Sequence, residues 1–421
     1  MNRRWVVLGF LFLVSVVTFL DRVNISVAGE YMSRDFGLTD VQFGTIFSSF
    51  LLGYALLQIP AGWLGDRFGY KEVLTGTLLV WSIFTVLTPW AGRGFLVPVL
   101  GVVPSICLVR FLIGVGEAAA YPCSSALAGR WFAPEQQGLA TGVIFAGVGA
   151  GSTITPPFIA WLMVNFGWEV SFYVSGLLGI VLAGAFLVWV NPSPESPPVV
   201  SPSAANPSPP RQGEGEAGAV VRGSWRRLLA DRNVWLLAMS YGATGYVLYV
   251  FLAWFFRYLV DEREMEVLNA SFYAMFPFMS MAVSAPLGGW ISDRLIPRFG
   301  KMKARRRIAI FGVVSCIPFM MMGALIENNP VAVACFSLSF GLLTLTTGCY
   351  WATAIDLVPG HAALVGASMN MGTNLVGMLA PVLTPFIKDH YGWPAAWAVA
   401  ALFALAAASL WMLMEEREWG H

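Results

Sequence analysis

Apolar stretches of about 20 residues, each bounded by glycine, proline or charge, recur from one end of the chain to the other. A helix rises about 1.5 Å per residue, so each stretch is long enough to cross a hydrocarbon core of roughly 30 Å. The pattern predicts twelve spans, near residues 5–29, 41–65, 72–91, 98–126, 138–163, 167–190, 233–256, 268–292, 306–326, 331–355, 362–387 and 392–414. Between the sixth and seventh the pattern stops. Residues 191–227, "NPSPESPPVVSPSAANPSPPRQGEGEAGAVVRGSWRR", are rich in Pro, Ser, Gly and Glu and too poor in large apolar side chains to fold. The expected organisation is an all-α membrane protein of twelve transmembrane helices in two pseudo-symmetric six-helix bundles. The first bundle covers 1–190, a cytoplasmic linker 191–230, and the second bundle 231–421. The first run follows Arg3 and Arg4 as a signal peptide would, but it is longer and contains Asp21 and Arg22, so it is expected to be a retained helix.

Composition sharpens this picture. Hydrophobic residues make up 57% of the chain and charged residues 12%, with a mean hydropathy of +0.68. A soluble domain carries about 25% charged residues, so most of this surface faces lipid. The net charge of +1 offers no field for nucleic acid. Of the 25 lysines and arginines, 18 fall in segments that share a side with the N-terminus, five on the other side, and two, Arg22 and Arg110, within spans. That bias predicts that both termini and the linker lie in the cytoplasm; the expected location is the cell's inner membrane, crossed many times.

Several chemistries find no support. The five cysteines, Cys107, Cys123, Cys316, Cys335 and Cys349, stand singly within apolar segments, so neither a disulfide frame nor a thiolate metal site is expected. His361, His390 and His421 lie at predicted helix ends or in the tail. No HExxH, nucleotide loop or intramembrane Ser/His set is present, so neither an enzyme nor a cofactor is expected.

The two halves carry a repeat. "AGWLGDRFG" (61–69) follows the second span and "GGWISDRL" (288–295) the eighth, matching Gly62, Trp63, Asp66 and Arg67 with Gly289, Trp290, Asp293 and Arg294. The glycine is expected to permit close helix approach, and the Asp–Arg pair to latch neighbouring helices at the cytoplasmic side as a gating loop. In the fifth span, "GVIFAGVGAGSTITPPF" (142–158) predicts tight helix contacts through small residues.

Charges inside spans are rare, and they mark substrate or proton paths when they face a bundle interior. Asp21 and Arg22 in the first span and Arg110 and Glu117 in the fourth form such a set. Arg110 and Glu117 are seven residues apart and share a helix face. Asp21 and Arg22 are adjacent, about 100° apart around the helix, and cannot point the same way. Two readings follow: structural ion pairs Asp21–Arg110 and Arg22–Glu117, or a division in which one residue neutralises the fourth span and the other lines a cavity. Two charges of each sign balance when empty, and an anion unbalances them unless a carboxylate takes up a proton. A guanidinium suits an anion clamp because it binds carboxylate bidentately and stays charged.

The segment "GWLGDRFGYK" (62–71) resembles the signature loop of the major facilitator superfamily. "FLDRVNISVA" (19–28), "FSSFLLGYALLQIPAGWLGDRFG" (47–69) and "RFLIGVGEAAAYP" (110–122) resemble its anion:cation symporter family. That family includes bacterial galactonate, glucarate and hexuronate transporters and the animal sialic-acid and vesicular glutamate carriers. The second half is similar through "FLAWFFRYL" (251–259) and "GASMNMGTNLVG" (366–377). The resemblance implies that Arg22 and Tyr54 contact an anionic substrate. It implies that Asp21 is a proton-linked carboxylate associated with Arg110 and that Glu117 is the second protonation site. Asn370 matches a polar cavity position and Trp351 an aromatic one. Related sugar-acid carriers have a glutamine where this chain has Tyr241, and small hydroxyl residues where it has Gly348 and Tyr350, which points to a smaller or less hydroxylated acid. The function implied is proton-coupled import of a small organic anion, a sugar acid such as a hexonate or hexuronate, by alternating access and as a monomer. An anion exchanger or uniporter of the same fold is the alternative.

Overall fold

The computed structural model describes residues 3–94, 96–132, 134–191, 231–357 and 362–415. The expected linker, from residue 192 onward, lies outside the described residues, as do His361 and His421. Among those described there is no strand. In lipid each backbone N–H and C=O must be satisfied within the segment, and the helix does this without partners. Eleven continuous stretches are long and apolar enough to cross a membrane, and the last, Val365–Met412, runs for 48 residues. It is two spans joined at Gly392, whose φ of 80° and ψ of 169° break the helix. Gly167 joins the fifth and sixth spans with nearly the same angles, φ 93° and ψ 157°, so the junction repeats between halves. Left-handed φ favours glycine at both positions. The twelve spans expected from the hydrophobic pattern are therefore present.

The first three spans are Arg3–Phe36, Asp40–Phe68 and Tyr70–Ala91, and the fourth is Val102–Trp131. The fifth and sixth are Pro134–Phe166 and Trp168–Trp189. The second half continues with Arg232–Asp261, Val267–Phe299, Lys301–Leu325 and Asn329–Ala354 as spans seven to ten. The fourth span loosens for one turn at Ala118 and Ala119, immediately after Glu117, and the tenth loosens at Leu345 and Thr346. The second span starts with a full capping box: the Gln42 N–H donates to Thr39 Oγ1 (3.2 Å), and the Thr39 N–H donates to Gln42 Oε1 (2.9 Å). This cap places Asp40 in the first turn.

The small residues of the fifth span seat the first. A Cβ on Gly147 would lie 2.5 Å from the Phe12 carbonyl oxygen, and one on Gly151 2.7 Å from that of Val16. A buried polar clasp ties the first span to the sixth. Asn24 Nδ2 donates to Ser175 Oγ (3.1 Å), and Ser171 Oγ donates to Asn24 Oδ1 (2.8 Å). These contacts fix the rotation of the first helix, and with it the directions of Asp21 and Arg22.

Candidate functional site

The site is assembled by one glycine. Gly114 lies on the same face of the fourth span as Arg110 and Glu117, and a Cβ there would stand 2.1 Å from the Phe50 carbonyl oxygen and 2.9 Å from the Tyr54 nitrogen. Across the contact, a Cβ on Gly53 would stand 2.3 Å from the Phe111 carbonyl oxygen. Only side-chain-free positions let these two backbones meet so closely. The meeting carries Phe50 and Tyr54 up to the charged face of the fourth span.

Arg22 Nε donates to Glu117 Oε2 at 2.8 Å, with side-chain exposures of 7% and 0%. The guanidinium carbon sits 4.4 Å from the ring centroid of Tyr54, 5.2 Å from that of Phe50 and 5.1 Å from that of Phe19. Aromatic faces attract a cation that has left water, so Arg22 stays charged there without a second carboxylate. Its Nη2 has no hydrogen-bond partner among the described residues, and neither has Glu117 Oε1. The pair therefore keeps capacity for an oxyanion on one member and for a proton on the other.

Of the two sequence readings, the Arg22–Glu117 pair forms. Asp21 and Arg110 lie within electrostatic reach of one another, but neither Asp21 oxygen has a hydrogen-bond partner among the described residues. Arg110 packs over Phe50 at 5.0 Å. Asp21 and Arg22 thus diverge as their adjacency requires. Arg22 turns to the tyrosines, and Asp21 is buried in the first bundle.

The second half closes over this pair with aromatic groups. Tyr249 donates from its hydroxyl to Asn374 Oδ1 (2.9 Å), and Asn374 Nδ2 donates to the Asn370 carbonyl (2.8 Å). Asn370 itself is half-buried. Trp351 contacts Phe145 of the first half at 6.4 Å, and Phe145 stacks on Tyr121 at 5.6 Å and 7°. Tyr241 packs against Tyr350 at 4.7 Å. Tyr350 is turned inward: Ser240 Oγ donates to the Ala407 carbonyl (2.9 Å), so the Tyr350 hydroxyl donates to Ser240 Oγ (2.7 Å). Its ring packs between Tyr241 and Trp411, and its hydroxyl bonds in the core. Tyr121 and Tyr249, both close to Arg22, were not singled out in the sequence, where aromatic residues in apolar runs read as packing.

Other expectations meet different geometry. Gly62 permits no close approach, because a Cβ there would have no neighbour within 4 Å. The contact is made three residues on, at Gly65, where a Cβ would lie 2.9 Å from Cys123 Sγ. The motif arginines stack on their own tryptophans, Arg67 over Trp63 at 5.2 Å and Arg294 over Trp290 at 4.1 Å. Asp293 is exposed, and the side chain of Asp66 lies outside what is described. Asp356 pairs with Arg305, and with Lys301 at 3.7 Å, at the end carrying both termini.

The opposite end holds a latch between the halves. Asp40 pairs with Arg257 of the seventh span (2.7 Å) and with Lys388 of the eleventh, and all three side chains are at most 17% exposed. Beneath it, a Cβ on Gly44 would lie 1.8 Å from the Pro381 carbonyl oxygen, and Ser48 Oγ donates to the Met378 carbonyl (2.7 Å). Arg257 and Lys388 read in the sequence only as loop charges. Their partner is 217 or more residues away in the chain, and no local pattern could have named it.

A family model for the Major Facilitator Superfamily matches residues 11–377. The chain belongs to that superfamily. It is a multi-pass membrane transporter and not an enzyme. It is 31% identical over 392 residues to a probable sulfoacetate transporter, SauU, of Cupriavidus necator, covering 93% of this chain and 89% of that one. It is 30% identical to a hexuronate transporter of Bacillus subtilis, covering 92% and 88%. In fold it is similar to a bacterial homologue of the human lysosomal transporter Spinster, with a TM-score of 0.81 over 98% of this chain and 97% of that one, at 19% identity.

Proposed function

We propose that this transporter imports a small organic anion together with protons. The carrying observation is the buried Arg22–Glu117 pair, half-satisfied on both sides and walled by tyrosines. In the empty state Glu117 neutralises Arg22. An incoming carboxylate or sulfonate binds the free edge of the guanidinium and competes with Glu117 for it. A displaced glutamate in a site without water carries an uncompensated charge, and a proton removes that charge. Anion and proton therefore enter together. Asp21, beside Arg110, supplies a second carboxylate whose charge the proton can cancel. Arg22 and Tyr54 hold the anion from the first half, while Tyr241, Trp351 and Asn370 shape the site from the second.

Relatives named for sulfoacetate and for hexuronate bracket the size of the cargo. A sugar acid such as a hexonate or hexuronate fits the charged end. The bulk of Tyr241, and a Tyr350 hydroxyl tied to Ser240, favour its shorter members. The lysine and arginine bias favours an inner membrane with both termini in the cytoplasm. The chain works as a monomer, with residues 1–190 and 231–421 rocking about the site as two bundles and 191–230 linking them.

Uptake of labelled acids into proteoliposomes tests the reading. Glu117→Gln should cut pH-gradient-driven accumulation at least tenfold while exchange of internal for external anion persists. Accumulation at the wild-type level with full pH dependence would remove Glu117 from the proton path. The second reading, an exchanger, is supported if wild-type flux requires an anion on the far side and ignores the pH gradient.

A further inference from the structure

Asp21 is 2% exposed, and both its carboxylate oxygens lack a hydrogen-bond partner among the described residues. The groups that act on it are Glu117 and Arg110 of the fourth span and the indole of Trp81 on the third. Its sequence neighbour Arg22 is committed to Glu117 and the aromatic rings. The sixth span, which packs nearby at Asn24, presents the neutral hydroxyls of Ser171 and Ser175. Trp81 is wholly buried, and its Nε1, like the Asp21 oxygens, has no hydrogen-bond partner among the described residues. One turn along the same helix, Thr85 is 1% exposed with its hydroxyl equally unpaired.

The placement of Trp81 is enforced from the site side. A Cβ on Gly116, the residue before Glu117, would stand 2.8 Å from Trp81 Cβ and 3.2 Å from its backbone nitrogen. The glycine thus fixes the third span at Trp81 against the segment that bears Glu117. An indole N–H donates but neither accepts nor titrates, so it adds no charge to the set. Buried polar atoms left unpaired are costly, and here a lone donor and a lone acceptor share one interior.

We propose that Trp81 is a positioning residue for Asp21: its N–H is the neutral donor that sets how readily this carboxylate takes up the transported proton. The proposal rests on the proton-coupled reading above. A donor to the ionised carboxylate favours the ionised form, and its removal favours the protonated form. Uptake that depends on Asp21 being protonated then persists to higher pH.

The test is the pH profile of uptake in proteoliposomes, with anion binding followed by thermal shift. Trp81→Phe should move the alkaline limb of the profile up by about one pH unit, while anion affinity changes less than twofold. Trp81→Gln, which returns an N–H donor, should bring the limb back toward the wild-type position. It also gives a second folded variant where Trp81→Phe is too unstable to purify, and a limb fully displaced in Trp81→Gln counts against the proposal. An unmoved limb in Trp81→Phe, while Asp21→Asn abolishes the limb, overturns the role of Trp81. A limb that survives Asp21→Asn instead overturns the proton role of Asp21, and the proposal with it.

Discussion

A shift of 227 residues, the spacing of Gly62 and Gly289, lays the fourth span on the tenth. Gly114 then falls on Gly341, and the loosened turn at Ala118–Ala119 falls on Leu345–Thr346. Arg110 meets Ser337 and Glu117 meets Thr344. The packing device is repeated, and the charges are not. Ser337 Oγ donates to its own helix at Val333 (2.7 Å), and Thr344 Oγ1 donates to Phe340 (2.8 Å) and bonds Ser284 across to the eighth span (2.7 Å). The glycine contact also differs. Gly114 faces a backbone carbonyl at 2.1 Å, whereas Gly341 faces the Ser280 hydroxyl at 3.2 Å. One half uses the geometry to bury ionisable groups, and the other uses it for neutral hydrogen bonds. Burying ions on both would double a cost of several kcal/mol per ion.

This asymmetry can be broken most severely at Arg22. Arg22→Ala removes the hydrogen-bonded ion-pair partner of the buried Glu117, a loss of about 3–5 kcal/mol. Anion-induced thermal stabilisation should disappear, whereas a variant that still binds anion would take Arg22 out of the site. The two glycines give the next effect. Gly114→Ala pushes a methyl into the Phe50 carbonyl and should cost about 1–3 kcal/mol, seen as a lower unfolding temperature in detergent. Gly341→Ala, beside a movable hydroxyl, should cost clearly less, and equal losses would show that the two contacts are equivalent. The smallest effect is expected at the latch. Asp40→Asn weakens two ion pairs that join the halves and should shift the equilibrium toward opening at that end by roughly tenfold, about 1.4 kcal/mol. Labelling of a cysteine introduced at Ser48, buried against Met378 at that end, reports it, and unchanged labelling would mean the backbone contact of Gly44 on Pro381 holds the closure alone.

How much of this was legible depended on distance along the chain. The twelve spans were legible because a bilayer leaves a hydrophobic segment no alternative to the helix. The four charges were legible because apolar surroundings make them conspicuous. The repeat at 62–67 and 289–294 was legible as well; of its two glycines Gly289 meets a neighbouring helix closely, at Gly348, whereas Gly65 makes the contact expected of Gly62. Helical phase at a span end depends on how the neighbouring span sits.

The sequence alone determined the number of crossings, the pseudo-repeat, and the presence of two acids and two bases in the membrane. These follow from composition and period, which act over a few residues. Only the tertiary structure decided that Arg22 pairs with Glu117 while Asp21 is buried without a hydrogen-bond partner among the described residues. It also decided that Asp40 joins Arg257 and Lys388, and that Tyr350 spends its hydroxyl on Ser240. Each of these depends on the rotation of one helix against another. That rotation is set by close contacts such as Gly114 on Phe50 and Gly151 on Val16, between residues far apart in the chain.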